Sequence, residues 1–128
     1  MTMDCTFSVD GETLTVVVSG TNVCSEDVRG LVDDITVEAS KDGLLRVLCD
    51  AASVHHTLTH LEVLDVAKHA VRHVPSGGRL AVVHGRDDRE KASFMETVIV
   101  HLGKPARVFS SPTAARTWLD SAPALERA

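Results

Sequence analysis

Apolar residues recur along this chain with two different periods, and the switches between them lay out a fold. Cys5, Phe7 and Val9 alternate with polar residues, as do Leu14, Val16 and Val18, the period of strands with one buried face. Asp10-Gly11 lies between the two runs and suits the positive backbone angles of a tight turn. Residues 4 to 19 are therefore expected to form an antiparallel hairpin, closed by Gly20. The period then changes. Val28, Leu31, Val32, Ile35 and Ala39 recur at helical spacing behind Ser25, an expected N-cap, with Glu26 and Asp27 placed to complement the helix dipole. Lys41-Asp42-Gly43 ends this helix as a turn.

Leu44, Leu45, Val47, Leu48 and Cys49 form a run too apolar for a one-sided strand, so a central strand buried on both faces is expected there. A polar loop, Asp50 to Leu58, should follow. It feeds a helix from His60 to about Val74, with Thr59 as N-cap and Glu62 completing a capping box. Val63, Leu64, Ala67, Ala70, Val71 and Val74 fall on one face of that helix, and Glu62, Asp65, His69 and His73 on the other. Pro75-Ser76-Gly77-Gly78 stops it, and Leu80, Ala81, Val82 and Val83 read as a second buried strand. After a loop from Gly85 to Asp88, a third helix turns Ala92, Met95, Val98, Ile99 and Leu102 inward and ends at Gly103. Ala106, Val108 and Phe109 make a last strand. Ser111-Pro112 then starts a final helix with Ala115, Trp118 and Leu119 inward, and the residues from about 121 to 128 read as a frayed tail.

The order is a hairpin, a helix and three strand-helix units. This is an α/β arrangement with a mixed, mostly parallel sheet covered by helices, in one domain spanning residues 1–128 with its ordered core at about 4–120. A length of 128 residues suits a single core. The net charge of -5, scattered Lys and Arg and an aromatic content of 3% argue against a nucleic-acid module, which needs concentrated positive charge or stacking platforms. Cys5, Cys24 and Cys49 form no C-x-x-C pair and cannot all pair within one chain. With no apolar run of membrane-spanning length and no leader-like start, a cytoplasmic protein is expected.

Several strings resemble the STAS fold of sporulation anti-sigma factor antagonists, and more closely the SpoIIAA-like family. They are the hairpin ending in Gly20, LLRVLCD with Asp50, RLAVVHG, and ARVFSSPTAARTWL with Phe109, Ala115, Trp118 and Leu119. The resemblance implies a non-enzymatic regulatory or protein-interaction domain. In such antagonists a serine within a D-S-S-G-like motif, at the start of the helix after the central strand, is phosphorylated by a partner kinase. The matching stretch here is His56-Thr57-Leu58-Thr59, with histidine for the aspartate, threonine for the first serine, and no glycine. Thr57 and Thr59 are the acceptors this implies, Thr57 the better one because Thr59 is committed to capping. The related SpoIIAA-like and CRAL-TRIO lipid-transfer domains imply an alternative, an apolar, lipid-like ligand held against the sheet, while free N–H groups at the helix N-termini, with Arg86 and the histidines, suit a small anion there.

Ligands of open α/β sheets gather beyond the carboxyl ends of the parallel strands. That end is expected to collect Asp50, Ser53, His55, His56 and Thr57 from one loop, His84 and Arg86 with Asp87 from the next, and Ser110 with Ser111 from the third. Asp50, Ser53, His55 and His56 contain the letters of a catalytic triad but lack a strained elbow such as G-x-S-x-G, so no catalytic residue is assigned. His69 and His73 have the i, i+4 spacing at which two imidazoles can meet one ion, with Asp65 a turn earlier. Because this stripe opposes the apolar face, it is read as a solvated face with Asp65 paired to His69, and no metal or cofactor is assigned. The partners expected are proteins of unspecified identity or such a ligand, with a homodimer left open.

Overall fold

A computed structural model describes residues 3–73 and 78–121. Five strands, β1 (Met3–Asp10), β2 (Thr13–Val23), β3 (Arg46–His56), β4 (Arg79–Val83) and β5 (Ala106–Phe109), form one sheet in sequence order. The β1–β2 pair is antiparallel and all later pairs are parallel. The connecting helices are α1 (Ser25–Lys41), α2 (His60–His73) and α3 (Arg89–His101), and α4 (Pro112–Asp120) follows β5. The hairpin, the four helices and the mostly parallel sheet thus take the order expected from the hydrophobic periods. The helix stop at 74–77 and the tail at 122–128 lie outside the described residues.

Alternation along the inner strands sends side chains to two cores. On one face Leu14, Val16, Val18 and Cys49 pack with Leu31 and Ala39 of α1, and this side is covered by α1, α2 and α3. On the other, Leu48, Ala81 and Val83 meet Ala115 and Leu119 of α4, flanked by Phe109 and Trp118. Arg116 of α4 ties this side to the hairpin, donating to Thr15 Oγ1 at 2.9 Å and pairing with Asp10 at 3.3 Å.

Several boundaries differ from the sequence reading, each for a local reason. Asp10 pairs with Thr13, so the turn is the two-residue Gly11-Glu12 loop, with Gly11 at φ +64 in its first position. Gly20 does not close the hairpin, because β2 runs on to Val23 alongside an equally extended β3. Cys24, not Ser25, is the α1 N-cap, and the Asp27 carboxylate accepts from its backbone N–H at 3.1 Å. Leu44 and Leu45 precede β3, and Leu45 is exposed. Leu102 is also exposed, because α3 has ended and the chain turns through Gly103, at φ +97. On α2 the buried residues include Val66, which the sequence reading did not place inward. Thr59 and Glu62 form the expected capping box: Glu62 accepts from Thr59 N–H at 2.9 Å and Thr59 Oγ1 from Glu62 N–H at 3.2 Å.

Candidate functional site

The expected loop Asp50–Leu58 is mostly strand, because β3 continues to His56. It does so with an irregularity. Val17 pairs with Asp50 and Ser19 with Ser53, so β3 advances three residues while β2 advances two. The extra residue shifts the side-chain alternation. Ala51 and then Val54 and His56 therefore face α1, α2 and α3, where an unbroken strand would have turned Ser53 and His55 inward. In the next interval, Gly20 to Val23, β2 advances three against two, through Asn22 at φ +53, a backbone angle that asparagine tolerates better than most residues.

Behind these residues lies a cavity of about 150 Å³ between the sheet and the three helices. Its walls are apolar, with Val18, Cys49 and Val82 from the sheet and Leu31, Val66 and Ile99 from the helices. Burial, and secondarily the Asp50 carboxylate, push the Cys49 thiol up to about 12, so this wall is a neutral, unreactive sulfur. Thiol reagent is expected to label Cys5 and Cys24, which are exposed, and to reach Cys49 only on denaturation. Counting labelled peptides by mass checks this. Because the unfolded thiol ionises near 9.0 and the folded one near 12, its contribution to stability is whole below pH about 9 and is lost as pH rises across that window.

Polar groups meet at the carboxyl ends of the strands. His56 Nδ1 accepts from Leu58 N–H at 3.1 Å, which puts the ring proton on Nε2, 2.9 Å from Asp88 Oδ1. Lys91 Nζ donates to the Leu58 carbonyl, and no carboxylate within ion-pair distance holds it among the described residues. His84 is buried, with Nδ1 2.9 Å from the Gly85 carbonyl. His56, His84, Asp88 and Lys91 all border the cavity. A shallower polar cleft of about 240 Å³, lined by His55, Arg86 and Asp87 among others, lies on the other side of His56 and Asp88. The His56–Asp88 pair borders both spaces.

Of the residues expected at this end, His55, His56 and Arg86 come together in the cleft, and His56 and His84 at the cavity. Asp50, Ser53, Thr57 and Ser110 line neither space. The Asp50 carboxylate accepts from Ala52 N–H at 3.2 Å, Ser53 and Thr57 are exposed, and Ser110 is an exposed residue before the Ser111 cap of α4. Spread along an extended strand at roughly 3.3 Å per residue, Asp50, Ser53 and His56 do not converge as a triad would. Sequence reasoning did not single out Asp88 and Lys91. Their spacing, three residues apart across the start of α3 behind Gly85, was the available signal. On the outer face of α2, Asp65 pairs with Arg29 of α1 rather than with His69, and His69 meets Asp33. The solvated stripe is thus a helix-helix contact.

No protein-family model matches the chain, and no curated protein matches it. Among solved structures it is similar to an uncharacterised protein of the DUF3478 family from Shewanella loihica PV-4, described as having a SpoIIAA-like fold. That likeness covers 92% of this chain and 94% of the other, with a TM-score of 0.55 and 12% identity. The chain has the SpoIIAA-like α/β fold. No helix among the described residues is long and apolar enough to cross a membrane.

Proposed function

We propose that this protein is a small-ligand binding domain, taking a molecule with a short apolar body and an anionic head. The observation that supports it is the apolar cavity with Lys91 and His56 at its polar end. An apolar-walled cavity of about 150 Å³ is the size that accepts a benzene-sized body. Each buried CH₂ contributes about 0.8 kcal/mol, so about six or seven of them bring affinity into the sub-millimolar range. The Lys91 ammonium, which donates to a neutral carbonyl and has no carboxylate in ion-pair distance among the described residues, is the group an anionic head would approach. Partner binding through the exposed residues His55, Thr57 and Arg86, with phosphorylation at Thr57 or Thr59, is the second reading of the fold. The concave, apolar-walled cavity with convergent polar groups at one end favours the ligand over it.

Octanoate and octanol distinguish the parts of this reading by calorimetry. Octanoate is expected to bind the wild type and to weaken on the order of tenfold in Lys91→Met, while octanol binding stays unchanged. Ala92→Leu places a larger side chain in the cavity and should abolish binding of both while preserving the circular dichroism spectrum. Octanoate binding that survives Ala92→Leu, or no binding to the wild type at millimolar concentration, would overturn the proposal.

A further inference from the structure

The α1–α2 interface carries two polar rungs one helical turn apart. In the first, Arg29 pairs with Asp65, which neutralises that carboxylate. The second has no Lys or Arg in it. Asp33 Oδ1 lies 2.8 Å from His69 Nε2 and 3.6 Å from His73 Nε2. The two imidazoles sit side by side, centroids 4.4 Å apart, and one donor atom from each of the three residues falls within 4.8 Å of the others.

Tautomers show what this rung lacks. His73 Nδ1 lies 2.9 Å from the His69 carbonyl, which can only accept, so Nδ1 carries the proton and, in the neutral ring, Nε2 presents its lone pair toward Asp33. One proton on His69 Nε2 satisfies the shorter contact. The longer one then sets a nitrogen lone pair of the neutral ring against a carboxylate oxygen, an arrangement that either a second ring proton or a metal ion between them would relieve. A ligating histidine commonly has its second ring nitrogen donating to a backbone carbonyl, and His73 already has that partner. Donors bound to Zn²⁺ at about 2.0–2.1 Å in tetrahedral geometry stand roughly 3.3 Å apart, and the two Asp33 distances bracket that spacing.

We propose that Asp33, His69 and His73 form a binding site for a divalent transition metal, with solvent completing the coordination. Two imidazoles and one carboxylate select Zn²⁺, Co²⁺ or Ni²⁺ over Mg²⁺ and Ca²⁺, which prefer all-oxygen shells. Binding needs only a change of tautomer at His69, its proton moving to Nδ1, with no net proton release from a neutral ring. The ion would join α1 to α2 on their outer side. Octanoate binding and metal binding therefore stand or fall separately.

The test is zinc calorimetry and the visible spectrum of the Co²⁺ form, in a Cys5→Ser/Cys24→Ser background that removes the exposed thiols. Micromolar binding of one Zn²⁺ is expected, with no response to Mg²⁺. Asp33→Ala, His73→Ala and His69→Gln should each weaken it on the order of 10- to 100-fold. His69→Gln keeps a hydrogen-bond donor for Asp33, so a purely structural contact would leave metal affinity unmoved. His101→Ala, on exposed α3 surface, should bind as the parent does. Melting temperatures in chelator confirm that each variant is folded. Wild-type-like affinity in Asp33→Ala and His73→Ala, or no zinc binding by the parent at micromolar concentration, would refute the site.

Discussion

Truncating Leu119 to alanine is expected to lower the unfolding free energy by about 2–5 kcal/mol, the range for large-to-small changes in a closed core. Leu119 is fully buried on the face of the sheet that α4, alone among the helices of the described residues, covers, against Leu48, Ala81 and Val83. A nine-residue helix has little stability of its own, so its attachment depends on this contact and its neighbours. Natural domains have only about 5–15 kcal/mol in hand, so the variant should fall close to the edge of folding. Urea denaturation should show a lower midpoint at unchanged slope. Leu102→Ala, on an exposed position, should stay within about 0.5 kcal/mol of wild type. A loss below about 1 kcal/mol at Leu119 would mean that α4 is not anchored as described.

Gly85→Ala is the second large effect, and it acts at the site. A β-carbon at this position would lie 2.9 Å from the Ala52 carbonyl oxygen, closer than real β-carbons approach backbone. The neighbour is not the end of a flexible side chain, so the chain after β4 or the irregular part of β3 must move. Overpacking of this kind costs about 1–3 kcal/mol. Because Gly85 and Ala52 both line the polar cleft beside His56, octanoate binding should weaken with the loss of stability. Calorimetry at a temperature where the variant remains folded separates the two effects. Unchanged stability and affinity together would show that the backbone yields there freely.

Most of the fold was legible because periodicity reports burial and the punctuation is local. Thr59 with Glu62, Ser111 with Pro112, and the α1 stripe could all be read from short windows. The length of β3 could not, since its polar residues 50–56 are held in strand by pairing with β2, a non-local cause. Most of the polar residues of the site were visible as residue types, His55, His56, His84, Arg86 and Asp87. Asp88 and Lys91 joined them only when α3 folded back across the strand ends. The Asp33 contact with His69 and His73 is likewise invisible in sequence, because it depends on how α1 and α2 lie side by side.

The extra residue in β3 and the glycine after β4 are two halves of one arrangement. Ala52 lies in the stretch where β3 gains a residue on β2, and its carbonyl is what forbids a side chain at position 85. Removing Ala52 would restore simple alternation while leaving Val54 and His56 inward, and would withdraw the obstacle that Gly85 avoids. The two positions are therefore expected to be coupled: an alanine at 85 that costs this chain about 1–3 kcal/mol should cost less in a chain shorter by that residue, which urea denaturation of the single and double variants would measure.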